Sequence, residues 1–440
     1  MKKITSFITI ILIALISYNQ FNKPKEIAPT KEKIKIVEEV TSLKEVEKHI
    51  NNYEYDIAIE KLNLLEEKGN KLDEIYYLKS LIFLRTENIT KFKENYGKLK
   101  SKSENKSFLE ELEFYFEFQN NNFQKALNIA KNSKITKSKL FISILQILQN
   151  DVQGAKKNLL ENTSNLNNKI IEQIAIFETF QDINISYLYT LIAKELKTNN
   201  YPLLAKKLLL QAISIDNNFK DAWLYLGHLY LENQLYKEAQ KSLEKARIID
   251  PYEKETNFYL GINYYYLNQF NNSIKYLQNS INQGISQKAK AYEFLALSHY
   301  KNGDNNLALN NFKLSQQNIT LNLSSYSTYI YLMSLENDTK GLNLALKKIQ
   351  NKYPNQAMSY NLQGWIYLIN KNYNLAKNKL NSALKLDPRL SAAYLNLGEI
   401  AINEGKKELA INYLNKAEMY SKIKNESGIY QKARNLRKSL

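Results

Sequence analysis

The 440-residue chain contains no cysteine, only three histidines and two tryptophans, and few helix breakers, with 12 glycines and 6 prolines. The missing cysteine excludes disulfides, thiolate metal sites, cysteine nucleophiles and a lipidated N-terminal cysteine. The scarcity of Gly and Pro argues against an all-β fold, which needs many turn residues, and suits an all-helical chain. None of His49, His228 and His299 has a second histidine four residues on, so helical metal-ligand spacing is absent. His299 falls on a packing position, and His228 on an inner helix face as a contact residue. No phosphate loop is present, because Gly405-Lys406-Lys407 lacks both the upstream glycine and the following Ser or Thr. No glycine-rich dinucleotide turn occurs. Carboxylate pairs such as Glu38-Glu39 and Glu110-Glu111 read as solvated helix faces.

The apolar content, 44%, is that of a folded chain. The formal net charge is +17. Such a charge attracts nucleic acid or anionic lipid. It also follows from a composition rich in Lys, Asn, Ile and Tyr, and the basic residues are scattered with no long block. The densest group, Lys432, Arg434, Arg437 and Lys438, reads as a solvated last helix.

The chain opens MKKITSFITIILIALISYNQF, two lysines followed by an apolar run. This is a targeting segment. No small-x-small cleavage site follows, so residues 1–21 are expected to act as an uncleaved signal anchor, with a cleaved signal peptide as the alternative. Lys2 and Lys3 favour translocation of the rest of the chain, although the lysines from Lys23 to Lys35 oppose it. Pro24 and Pro29 make residues 22–38 a linker.

The most informative feature is a period. Ala222-Trp-Leu-Tyr-Leu-Gly aligns with Ser359-Tyr-Asn-Leu-Gln-Gly and with Ala393-Tyr-Leu-Asn-Leu-Gly, the last two 34 residues apart. Repeats start at Ser186, Lys220, Lys254, Ala289, Leu323, Ala357 and Ser391, in steps of 34 with a single step of 35. The fourth position is aromatic in six repeats: Tyr189, Trp223, Tyr292, Tyr326, Tyr360 and Tyr394. The eighth is small (Ala193, Gly227, Gly261, Ala296, Gly364, Gly398), and so is the twentieth (Ala205, Ala239, Ser273, Ala308, Ala376, Ala410). The twenty-fourth is large, as in Leu243, Phe312 and Leu380. A glycine within a helix costs about 1 kcal/mol relative to alanine. Its recurrence therefore implies close approach of a second helix. Pro251, Pro354 and Pro388 share position 32, where a helix must end.

This pattern resembles the tetratricopeptide repeat (TPR) family over residues 186–424, with the repeat at Leu323 departing through Ile330 and Leu342. Residues 39–165 carry fainter traces, at Ala58 and Leu62, Ala126, and Ala155 and Leu159, and read as divergent repeats of the same kind. Residues 166–185 read as a connecting helix and 425–440 as a capping helix with a polar outer face. The resemblance implies an all-α, right-handed superhelical solenoid of helix-turn-helix repeats. It also implies a concave groove lined by first helices at Tyr225, His228, Phe258, Tyr259, Ile262, Tyr265, Phe294, Tyr300, Tyr331, Leu362 and Trp365.

Chaperone-binding members of the family grip a C-terminal carboxylate with groove Lys, Asn and Arg. Position 5 here offers Thr190, Leu224, Phe258, Glu293, Ser327, Asn361 and Leu395, without a lysine, so no such clamp is expected. Repeat text leaves no stretch for a catalytic domain. The reading is a non-catalytic, cofactor-free and metal-free scaffold that binds a protein or peptide partner. It is expected on the extracytoplasmic side of a membrane, in envelope assembly, secretion or maintenance, with no specific nucleic acid. The alternatives are an accessory protein handling glycan or lipid, disfavoured by Asn361, Asn396 and Asn403 near the groove, and a cytoplasmic regulatory protein.

Overall fold

The computed structural model describes residues 42–440 except 70, 104, 134, 163 and 181–183. The proposed anchor and linker, residues 1–38, lie outside the described residues. The described residues form 24 α-helices and no strand. None of these helices is long and apolar enough to cross a membrane.

The helices come in antiparallel pairs. Four pairs precede the regular repeats: α1 (Leu43–Asn51) with α2 (Tyr55–Lys68), α3 (Leu72–Arg85) with α4 (Ile89–Lys102), α5 (Lys106–Gln119) with α6 (Phe123–Asn132), and α7 (Ser138–Leu148) with α8 (Val152–Leu160). A single helix, α9 (Asn165–Thr179), packs between α8 and the next pair. Seven pairs follow: α10 (Ile185–Thr198) and α11 (Pro202–Ile215), α12 (Lys220–Glu232) and α13 (Tyr236–Ile249), α14 (Lys254–Tyr266) and α15 (Phe270–Asn282), α16 (Lys288–Lys301) and α17 (Asn305–Gln316), α18 (Leu323–Leu335) and α19 (Thr339–Lys352), α20 (Ala357–Ile369) and α21 (Tyr373–Leu386), α22 (Ser391–Asn403) and α23 (Lys407–Ile423). Helix α24 (Ser427–Lys438) closes the chain. Each first helix of the seven begins within one residue of its expected repeat start.

The tight turn inside each pair has a recurrent geometry. Position 15 takes a positive φ in all seven repeats, at Asn200, Gln234, Asn268, Gly303, Asn337, Lys371 and Gly405. Tyr53, Glu87 and Asn121 do the same in the turns of the first three pairs, again 34 residues apart, and Asn150 does so in the fourth. Asn and Gly tolerate this left-handed conformation best.

The core is built where the helices of a pair cross. A Cβ added at Gly227 would lie 2.5 Å from Leu243 Cγ, at Gly261 2.5 Å from Leu277 Cγ, and at Gly364 2.6 Å from Leu380 Cγ. Position 8 is thus small because the position-24 leucine of the same pair, fully buried in each case, rests on it. The repeat at Leu323 solves the crossing differently: Ile330 and Leu342 are both buried between α18 and α19, which sit further apart than the other pairs.

Two compact units result, Thr41–Ile285 and Ser286–Leu440, dividing inside the run of regular repeats. In the C-terminal unit the last pair is covered by α24. Ile429 and Ala433 bury against Leu414 and Leu395, Lys432 pairs with Glu399 of α22, and Arg437 Nε donates to Glu418 Oε1 at 2.5 Å. Lys432, placed by the sequence reading on a solvated helix, is in fact buried, because α24 turns that side onto α22.

The crossing geometry sets two opposite expectations. Gly364→Ala forces the new methyl against Leu380 and is expected to destabilise the protein by about 1–3 kcal/mol. Gly97→Ala, in α4 with nothing near its Cβ position, is expected to stabilise by about 0.5–1 kcal/mol through helix propensity. Urea denaturation of both variants checks the pair.

Candidate functional site

In the N-terminal unit the early pairs close onto later ones. Tyr55 Oη donates to Asn233 Oδ1 at 2.9 Å, and Arg85 Nη2 to the Asn200 carbonyl at 3.1 Å. Gln119 Nε2 donates to the Leu203 carbonyl at 2.7 Å. Lys207 Nζ returns across the same contact, donating to the Gln119 carbonyl and to Asn121 Oδ1, both at 2.8 Å. Helix α11 packs on α5 and α7 as well as on its own partners. Leu203, Leu204, Leu208, Leu209, Ala212 and Ile213 are all buried. The inner side of the early pairs is therefore occupied by the chain's own helix. The signal was present in PLLAKKLLLQAISI, which is apolar nearly all round, as a doubly covered helix must be.

This closure also corrects the reading of Glu110-Glu111 as a solvated pair. Glu111 is buried, because α5 turns it towards the filled interior, where Lys137 Nζ meets its Oε1 at 2.9 Å.

The eleven expected groove residues divide between the two units. Six of them are buried: Phe258 (1% exposed), Ile262 (7%), Phe294 (7%), Tyr331 (1%), Leu362 (1%) and Trp365 (2%). First helices of successive pairs touch each other directly, α12 with α14, α16 with α18 and α18 with α20. That contact draws Phe258 at position 5, Phe294 and Leu362 at position 6, and Ile262, Tyr331 and Trp365 at position 9 into the core. Asn361 and Asn396 are also buried, with Asn396 Nδ2 donating to Asn361 Oδ1 at 3.0 Å.

The residues left half-exposed are Tyr225, His228, Tyr259, Tyr265 and Tyr300. Four lie together on α12 and α14. His228 stacks on Tyr259 with ring centroids 3.9 Å apart, and Tyr265 meets Tyr266 edge-on at 5.4 Å. Lys194 Nζ lies over the Tyr225 ring at 5.9 Å. His228 Nε2 lies 3.1 Å from Glu232 Oε1, whose other oxygen is 2.9 Å from Lys197 Nζ. Burial holds the imidazole below its usual pKa, against the pull of Glu232. The group is thus an aromatic surface with a single fixed ion pair beneath it. Among the described residues no cluster of three or more His, Asp or Glu could hold a metal ion.

In the C-terminal unit Tyr300 stands edge-on to buried Tyr331 at 5.9 Å. His299 is buried, as its packing position implied, with Nδ1 3.3 Å from Asp304 Oδ2. Buried Glu293, at position 5, accepts from Ser325 Oγ at 2.5 Å and Lys290 Nζ at 2.8 Å, tying α16 to the start of α18.

Two measurements follow. Trp365→Ala is expected to cost about 3–5 kcal/mol of stability as a core truncation, whereas Tyr259→Ala should leave the thermal midpoint within a few degrees of the parent. Burial lowers the Lys207 ammonium to about 8, below its unfolded value of about 10.4. The unfolded chain then binds more protons, so stability should rise from pH 8 to about 9.5 through this group. Urea midpoints across that range should lose part of the rise in Lys207→Met.

The family described as "Tetratricopeptide repeat" matches residues 221–251, 357–390 and 391–422. No curated protein matches the sequence. Among solved structures, the chain is similar to the APC/C hetero-tetramer Cut9–Hcn1, at 14% identity over 89% of this chain and 88% of that one with a TM-score of 0.44. It is similar to yeast Tom70 at 15% identity over 90% and 95%, with a TM-score of 0.36, and to a tetratricopeptide repeat protein from Parabacteroides merdae at 12% identity over 57% and 98%, with a TM-score of 0.41. The helix pairs, their small-residue crossings and the three matched segments identify tetratricopeptide repeats in this chain, a fold that supports protein interaction.

Proposed function

We propose that the chain is a non-catalytic scaffold that binds a protein or peptide partner on the first helices of its regular repeats. The observation that carries this reading is the half-exposed aromatic group Tyr225, His228, Tyr259 and Tyr265 on α12 and α14. Tyrosines are frequent binding anchors because they present rigid apolar area with a polar tip. The ring faces of these residues favour an apolar or aromatic peptide. Residues 1–21 would hold the scaffold at a membrane, with the repeats on the extracytoplasmic side, in envelope assembly, secretion or maintenance.

In-cell photo-crosslinking tests the reading, with the photoreactive residue at Tyr225 or Tyr259 and a control on the second helix α15 at exposed Lys275. Discrete protein adducts from the first two sites and not from Lys275 are expected, and the compartment of the captured partner reports the orientation. Equal yields at all three sites would remove the aromatic surface as the binding face. Adducts confined to glycan or lipid would replace the scaffold by an accessory protein.

A further inference from the structure

The chain's positive charge is segregated. Residues 41–285 carry 32 Lys and Arg against 30 Asp and Glu, a net +2, whereas residues 286–440 carry 22 against 10, a net +12. From α17 to α22 the charge is sorted again by helix. The first helices α18, α20 and α22 hold one charged residue between them, Glu399, which pairs with Lys432. The second helices α17, α19 and α21 hold eight lysines and no acid. Their inner sides pack on the first helices, so the lysines collect on the outer face.

Some of these lysines are committed within the protein. Lys377 meets Glu404 at 2.7 Å, Lys313 meets Asp338 at 3.4 Å, and Lys348 donates to the Gln316 carbonyl at 2.7 Å. Lys340, Lys347 and Lys385 are exposed, with no carboxylate within ion-pair distance. Between them the same helices leave large apolar side chains in water: Leu307 is 49% exposed, Leu314 39%, Leu344 55% and Leu375 41%, and Leu409 of α23 continues the series at 42%. Single exposed leucines are ordinary. Here they recur on each of α17, α19, α21 and α23, and Leu307, Leu375 and Leu409 share position 19 of their repeats.

We propose that this outer face of residues 286–440 docks on an anionic lipid bilayer. Uncompensated lysines interleaved with exposed leucines form the pattern of an interfacial surface, in which ammonium groups meet lipid phosphates and the leucines enter the headgroup boundary. A nucleic acid would use the charge but leave the leucines in water. The uncompensated lysines of α19 and α21 are flanked by exposed leucines on α17 and α23, an extended mixed face suited to a lipid boundary. The first helices α18, α20 and α22 carry none of these lysines, so the proposal stands independently of what the first helices bind.

The natural absence of cysteine makes the test direct. Leu344→Cys and, separately, Leu375→Cys in the full chain carry an environment-sensitive fluorophore, with Lys275→Cys as the control. Each is titrated with phosphatidylcholine vesicles with and without phosphatidylglycerol, and with a duplex oligonucleotide. A blue shift at 344 and 375 with the anionic vesicles alone, absent at 275, is expected. Near a charged surface each lysine contributes about 1 kcal/mol. Changing Lys340, Lys347 and Lys385 together to Gln should therefore weaken the vesicle dependence on the order of 100-fold, while far-ultraviolet dichroism stays unchanged. No shift at 344 and 375, an equal shift at 275, or insensitivity to the three substitutions overturns the proposal. A response to the oligonucleotide without one to vesicles overturns it in favour of nucleic acid.

Discussion

The crossing of the two helices within a pair is the contact on which the rest of the molecule depends. At Gly227, Gly261, Gly364 and Gly398 the second helix comes so near that its position-24 leucine occupies the space a Cβ would need. Each glycine forgoes helix propensity, about 1 kcal/mol, in exchange for a leucine buried from every side. Once that distance is set, the first helix has a defined second face. It meets the first helix of the neighbouring pair, and the stack propagates by nearest-neighbour contact alone. Where the small residues are missing, at Ile330 and Leu342, the pair survives by opening, since both side chains are buried in the wider gap.

Stacking by neighbours does not explain the N-terminal unit. There the early pairs also engage residues far along the chain, with hydrogen bonds joining Tyr55 to Asn233 and Gln119 to Leu203. Helix α11 is covered on both sides as a result. The closure brings polar groups inside with it. Lys207 is satisfied by a carbonyl and an amide oxygen instead of a carboxylate, which leaves burial dominant and its ammonium easier to deprotonate. Glu111 is balanced by Lys137. A unit held by such long-range contacts cannot lose its first pairs without uncovering α11.

The two faces of the C-terminal unit have different chemistry. First helices α18, α20 and α22 are almost free of charge and rich in Tyr, Asn and Ser, and much of that surface is used in packing. Second helices α17, α19 and α21 are cationic and keep leucines in water. In the N-terminal unit the charges nearly cancel, and its exposed interest is the aromatic group on α12 and α14. The two proposed roles, partner binding and bilayer docking, thus fall on different helices.

Much of this was legible in the sequence. The period of 34, the small and large positions, and the prolines at position 32 determine helix pairs with their starts, because short-range sterics and helix propensity act within a single repeat. Three things were decided only by tertiary structure. Six of the eleven residues expected in a groove became core, since a position's exposure depends on how closely the next first helix approaches, and no residue in its own repeat reports that distance. Glu111 and Lys432 changed from solvated to buried for the same reason, each covered by a helix distant in sequence or at the end of the stack. Finally, a scattered set of lysines became a face only when the repeats were stacked. Charge in a sequence is a sum, and in a fold it is a position.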